Sequence, residues 1–241
     1  MNHLDRSTLS SLPYWIRLMH PLAHAESSAA LHGGAPSDFI AIHDWFDATK
    51  AQVCHVSHRM FRHHRQGIDE AIATFGPEIR VTGEQAFNVD VRTLGLQHMQ
   101  EDTSLGRCPD AGDWLQALKL PAWLRADRVS ALTGAPEELA AASARSFGGE
   151  ASQWMPLHRW FLGTETWSPG NPAHLSMRHH AMGIFEAESR FGRSIPVDGK
   201  HVPLRPVAER HVRTVLGRIP SAADWCSCLR AEAWMLPTRS G

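Results

Sequence analysis

The sequence is poor in several things that would each have pointed to a class of function. Net charge is nearly absent: 24 Lys and Arg stand against 25 Asp and Glu in 241 residues, a formal charge of -1. No global field therefore draws the chain to nucleic acid or to an anionic membrane. No run approaches the roughly 18 apolar residues that a membrane helix needs. The N-terminus carries Asp5 within a broken apolar stretch, unlike an export signal. The four cysteines, Cys54, Cys108, Cys226 and Cys228, contain no C-x-x-C pair and no zinc-knuckle spacing. They read as reduced thiols, and the expected location is cytoplasmic. Lysine is scarce, with only Lys50, Lys119 and Lys200, so arginine supplies most of the positive charge. A hydrophobic fraction of 43% with 20% charged residues excludes disorder as the main state.

What is abundant is histidine. Sixteen are spread along the chain, about three times an ordinary share and not gathered into a tag.

The chain also repeats itself, which decides its organisation before any secondary structure is read. IHDWFDATK from Ile42 aligns with LHRWFLGTE from Leu157, and Gly33-Gly34 aligns with Gly148-Gly149. After one inserted residue, FRHHRQGIDEA from Phe61 aligns with MRHHAMGIFEA from Met177, and FGPEI from Phe75 with FGRSI from Phe191. LGRCPDAGDW from Leu105 then aligns with LGRIPSAADW from Leu216. Two tandem modules of about 100 residues follow, at 19–127 and 128–241, after an N-terminal segment 1–18. The expected fold is mainly α (α+β), each module carrying a small β-hairpin and the pair related by pseudo-twofold symmetry. An Ala/Ser-rich helix stops at the Gly pair, where glycine suits a helix end. Apolar residues Val53, Val56, Met60, Phe61, Ile68, Ala71 and Phe75, with His64 among them, predict one amphipathic helix. Asp198-Gly199 predicts a hairpin turn. Asp110 and Ser221, each three residues before an acid, predict caps of a last helix. The paired tryptophans Trp45/Trp160, Trp114/Trp225 and Trp123/Trp234 read as core.

Ten of the histidines form five matched pairs: His43/His158, His58/His174, His63/His179, His64/His180 and His98/His211. Buried imidazole must be hydrogen-bonded or metal-bound. His43, His64 and His98, with Asp47 one helical turn after His43, form a candidate site for Zn, Mn or Fe with a position left for water. The second copy offers His158, His180 and His211 but has Leu162 in place of Asp47. His63 and Glu70 are candidate acid/base groups. His43-Asp44 resembles the dipeptide of HD-type metal phosphohydrolases, which makes Asp44 a candidate in copy one alone, because copy two has Arg159 there. Arg62, Arg92, Arg178 and Arg205 are candidates to receive an anionic small molecule such as a phosphate. The copies diverge unequally: His20, His24, Glu26 and Asp47 correspond to Ala135, Leu139, Ala141 and Leu162.

HPLAHAESSAALHGG from His20, HDWFDATKA from His43, RHHRQGI from Arg62 and PVAERHVRTVLGRIPSAADW from Pro206 resemble an uncharacterised domain of short bacterial and phage proteins, here in two copies. That resemblance implies a module boundary and no activity. The residues themselves lead first to a metal-dependent hydrolase of a phosphoester or other anionic small substrate. The second reading is a non-enzymatic sequestering or partner-binding protein of phage or mobile-element type, its His and Arg lining a groove between copies. The third is a structural protein whose histidines satisfy core hydrogen bonds.

Overall fold

The computed structural model describes residues 20–82, 86–124 and 136–237. The N-terminal segment 1–18 and the repeat boundary near residue 127 lie outside them.

The chain is mainly helical with two small antiparallel hairpins, as a tandem duplication requires. The first copy runs α1 (Pro21–His32), α2 (Pro36–Asp47), two 3-10 turns (Ala48–Ala51 and Val56–Phe61), α3 (Arg65–Phe75), β1 (Glu78–Val81), β2 (Phe87–Asp90), α4 (Val91–Asp102) and α5 (Ala111–Ala117). The second repeats the order with α6 (Pro136–Phe147), α7 (Ala151–Leu162), 3-10 turns Gly163–Trp167 and Pro172–Met177, α8 (Ala181–Phe191), β3 (Ser194–Val197), β4 (Lys200–Pro203), α9 (Leu204–Leu216) and α10 (Ala222–Cys226). The chain divides into two compact units. One comprises residues 1–111 together with 231–241, and the other residues 112–230. In the first unit Ser104 N donates to Trp234 O, and in the second Lys119 N donates to Cys228 O.

Local chemistry accounts for the element ends. Asp198 and Gly199 hold φ of 48° and 75°, the left-handed pair that closes a two-residue hairpin between β3 and β4. Ser221 Oγ accepts from Asp224 N while the Asp224 carboxylate accepts from Ser221 N, a complete capping box for α10. At α5, Ala111 N donates to Gln66 Oε1.

The single amphipathic helix expected over Val53–Phe75 is in fact two elements. Its 3-10 turn ends at Phe61, and α3 starts at Arg65. His64 lies between them in extended conformation and caps α3, its Nδ1 accepting from Gly67 N at 3.0 Å. His180 does the same for α8 through Gly183 N. The break explains the matched glycines: a Cβ on Gly67 would lie 2.0 Å from Arg62 O, and one on Gly183 equally close to Arg178 O. Backbone cannot retreat from such a clash as a flexible side chain can. Trp114 and Trp225 are fully enclosed, while Trp45 and Trp160 are half-buried beneath the guanidinium groups of Arg62 and Arg178.

Gly67→Ala and Gly183→Ala are each expected to destabilise the protein by about 3 kcal/mol, at the upper end of overpacking effects. Urea unfolding that moves by less than about 1 kcal/mol would show that the helix entry relaxes freely.

Candidate metal centre

Four elements of the first unit aim side chains at one point, and each does so with the same spacing. α1 supplies His24 and Ser28, α2 His43 and Asp47, the turn after Val56 Arg59 and His63, and α4 His98 and Asp102. Residues four apart share a helix face one turn apart. The Arg59–His63 pair obeys the rule because His63 N closes on Arg59 O at 2.7 Å. His24, His43, His63, His98, Arg59 and Asp102 are fully buried, and Asp47 is nearly so.

At the centre, one ligand atom from each of Asp47, His63, His98 and Asp102 lies within 4.8 Å of the others. His63 Nε2 is 3.0 Å from Asp102 Oδ2, 3.1 Å from His98 Nε2 and 3.6 Å from Asp47 Oδ1. His98 Nε2 is 3.5 Å from Asp102 Oδ2. A tetrahedral zinc with bonds of about 2.0–2.1 Å separates its ligands by about 3.3 Å, so the donor set is of the size that makes this buried group a candidate to hold a metal. Two further imidazoles flank it. His24 Nε2 is 3.5 Å from Asp102 Oδ1, and His58 Nε2 is 3.8 Å from Asp47 Oδ1. Asp102 Oδ1 is paired with Arg59, whereas His24 Nε2, His58 Nε2 and Asp47 Oδ1 have no hydrogen-bond partner among the described residues.

Charge is balanced internally. Burial opposes the Asp102 carboxylate, but Arg59, with a nitrogen 2.6 Å away, and the neighbouring histidines hold its pKa well below the carboxylate range. Burial likewise opposes the Asp47 carboxylate, and His63 and Lys50 lower its pKa in spite of it. His24 resists burial because Asp102 and Glu101 favour its cation, and its pKa rises to about 9. Burial pushes His43 down to about 3, and His98 is also held well below its usual value.

The remaining sequence candidates lie elsewhere. Both nitrogens of His64 are engaged by the turn it caps, Nδ1 with Gly67 N and Nε2 with Phe61 O, so it is not brought to the centre. Glu70 lies close enough to His64 to favour its cation, against the burial that lowers its pKa to about 4. Asp44 is exposed. Arg62 and Arg178 donate to Trp45 O and Trp160 O and stack on those indoles. Arg92 and Arg205 form exposed ion pairs with Asp69 and Glu188. Conversely, Asp102, His24, His58 and Arg59 are central and were not among the candidates. The His98-x-x-x-Asp102 spacing, identical to His43-x-x-x-Asp47, is the signal that would have found Asp102.

The second unit reproduces the hydrogen-bonded core of this arrangement without its charges. His158 Nδ1 lies 2.8 Å from His211 Nδ1, as His43 Nδ1 lies 2.9 Å from His98 Nδ1. Ser143 meets His158 as Ser28 meets His43, and His179 meets His211 as His63 meets His98. The positions of His24, Asp47, Arg59, Glu101 and Asp102 are taken by Leu139, Leu162, Leu175, Thr214 and Val215. His180, the counterpart of His64, caps α8 and is not part of this group.

Fold and site together define a tandem helical protein in which one module encloses a His/carboxylate cluster and the other its uncharged counterpart. The profile of the domain of unknown function DUF6915 matches residues 19–124 and again 135–235, and the chain belongs to that family. No curated protein and no solved structure matches the chain. No described helix is long and apolar enough to cross a membrane.

Burial of neutral histidine in the second unit fixes a pH dependence. Burial lowers His158 and His180 to about 4, and holds His179 and His211 well below their usual value. A base with a depressed folded pKa stabilises fully above its unfolded value of about 6.5, and that stability is lost as pH falls towards the folded pKa. Between about pH 7.5 and about pH 5, His158 and His180 should each remove roughly 2 kcal/mol of stability. Urea unfolding across this range checks it, and a flat profile would contradict neutral burial.

Proposed function

We propose that the first module binds one divalent ion, zinc, manganese or iron, through Asp47, His63, His98 and Asp102, and that the protein is a metal-dependent hydrolase of a phosphoester or other anionic small substrate. One observation carries the metal reading. The second module keeps the same scaffold and the same His–His hydrogen bonds with apolar residues where the first has Asp47, Asp102, His24 and Arg59. The fold therefore does not need those charges. Taking an ion out of water costs several kcal/mol, and a cluster that bears this cost without serving the fold has another use. Mixed imidazole and carboxylate donors suit zinc, manganese or iron.

The hydrolytic reading rests on chemistry. A bound divalent ion lowers the pKa of its water from 15.7 towards about 7. Lys50 pairs with Asp47 at the edge of the cluster and corresponds to Glu165 in the second copy. A cationic edge favours an anionic substrate. A second reading is favoured by the enclosure of all four donors: closed metal sites are commonly structural, which would make the first module a metal-holding, non-catalytic binding unit.

Elemental analysis of protein purified without a histidine tag is expected to give one divalent ion per chain. Asp102→Asn and Asp47→Asn should abolish it, whereas His158→Ala should leave it in place. Metal-free protein whose melting temperature does not respond to added Zn, Mn or Fe would refute the metal reading, because a ligand at a hundred times its Kd stabilises by about 2.7 kcal/mol. Hydrolysis of p-nitrophenyl phosphate by the loaded protein, absent in Asp102→Asn, separates the catalytic reading from the closed-site one.

A further inference from the structure

Two hydroxyl groups in the first unit determine which nitrogen of two histidines carries the proton, through the direction in which each group is able to donate. The first chain starts at Glu101. An ionised carboxylate only accepts, so the group of Gln97 that meets Glu101 Oε1 at 2.8 Å is its NH2. Gln97 Oε1 therefore faces Ser28, and Ser28 Oγ spends its single proton on it at 2.9 Å. His43 Nε2, 2.9 Å from Ser28 Oγ, must then be the donor of that pair. Neutral His43 is left with a bare Nδ1, so His98 Nδ1, 2.9 Å away, carries the proton between the rings. The lone pair of His98 is thereby placed on Nε2, the atom that faces His63 and Asp102.

The second chain is shorter. Thr49 Oγ1 lies 3.2 Å from His58 O and 2.9 Å from His58 Nδ1. A carbonyl cannot donate, so the hydroxyl proton goes to it and His58 Nδ1–H donates to the hydroxyl oxygen. His58 Nε2 is then a bare lone pair 3.8 Å from Asp47 Oδ1. Both atoms are buried and neither has a hydrogen-bond partner among the described residues. Two acceptors facing each other across a buried gap repel unless a cation lies between them.

We propose that the Glu101–Gln97–Ser28–His43 relay and the Thr49 hydroxyl preset His98 and His58 as Nδ1–H tautomers, presenting both Nε2 lone pairs to a divalent cation and making His58 a further ligand beside Asp47. The purpose assigned to the lone pairs rests on the metal reading above, whereas the tautomers themselves do not. Ser28, Gln97, His43 and Thr49 are positioning residues, as the outer partners of metal-bound histidine commonly are. The second unit contains a reference state. There the position of Gln97 is Arg210 and that of Glu101 is Thr214, so the relay has no amide or carboxylate to set its direction. His64 and His180 provide the opposite tautomer, since each accepts at Nδ1 from a backbone N–H and donates from Nε2 to a carbonyl.

Long-range proton–nitrogen NMR of the metal-free, uniformly 15N-labelled full chain tests this directly. His98 and His58 are expected as Nδ1–H, and His64 and His180 as Nε2–H. Either of the first two found as Nε2–H overturns the proposal. Gln97→Leu and Thr49→Val should scramble His98 and His58 respectively and weaken Zn(II) binding by about tenfold to a hundredfold, while Thr49→Ser should restore both properties. Folded variants with unchanged tautomers also overturn it. If the tautomers are as stated and Zn(II) does not bind even the unaltered chain, the metal reading fails and the relay stands.

Discussion

A hydrogen bond between two buried imidazoles holds the module together. His43 on α2 and His98 on α4 meet through their Nδ1 atoms, and the pair is backed by Ser28 from α1 and by the Phe46 ring stacked on His98. Three helices are thus tied at one point by groups that would be strongly penalised if any partner were missing. The second module depends on the same constraint through His158, His211, Ser143 and Phe161. Everything that differs between the modules is arranged around this shared feature.

The difference has a physical direction. Starting from a core of mutually satisfied neutral histidines, the first module adds two carboxylates, an arginine and a further histidine at positions that already point inward. Each addition needs another for balance: Asp102 needs Arg59 and His24, and Asp47 needs Lys50. The second module avoids that interdependence by filling the space with leucine and valine. Its enclosed histidines are joined to one another and to Ser143 with no carboxylate among them, whereas in the first module the facing atoms His58 Nε2 and Asp47 Oδ1 have no hydrogen-bond partner among the described residues.

Much of the architecture was legible in the sequence because a duplication repeats its own signals. The hairpin turn at Asp198-Gly199 and the cap at Ser221 have short-range causes, and both are found where the residues indicate. The apolar stripe around His64 runs on through a break, so the sequence pattern reads as one helix where the structure has two elements. Periodicity does not reveal that residues 62–64 leave helical conformation, and only the Gly67 contact with Arg62 O makes the break understandable. His43, Asp47 and His98 were legible as histidines kept in both copies and an acid one turn away. Asp102 is legible only through the His-x-x-x-Asp spacing it shares with Asp47, and Arg59, opposite Leu175 in the other copy, carries no such mark. The more telling signal was the coordinated exchange of charged for apolar residues.

Arg59 also reaches beyond the cluster. The same guanidinium that pairs with the Asp102 carboxylate donates to Asp102 O and to Met235 O, so a carbonyl near the far end of the sequence helps set the arginine that balances the buried acid. The unit containing the cluster is therefore assembled from both ends of the chain, and the sequence repeat is a poor guide to where it could be cut. A fragment ending near residue 127 would contain every candidate ligand and still lack one of the groups that hold their counterion in place. Residue 235 belongs to the electrostatics of the first module although the repeat assigns it to the second.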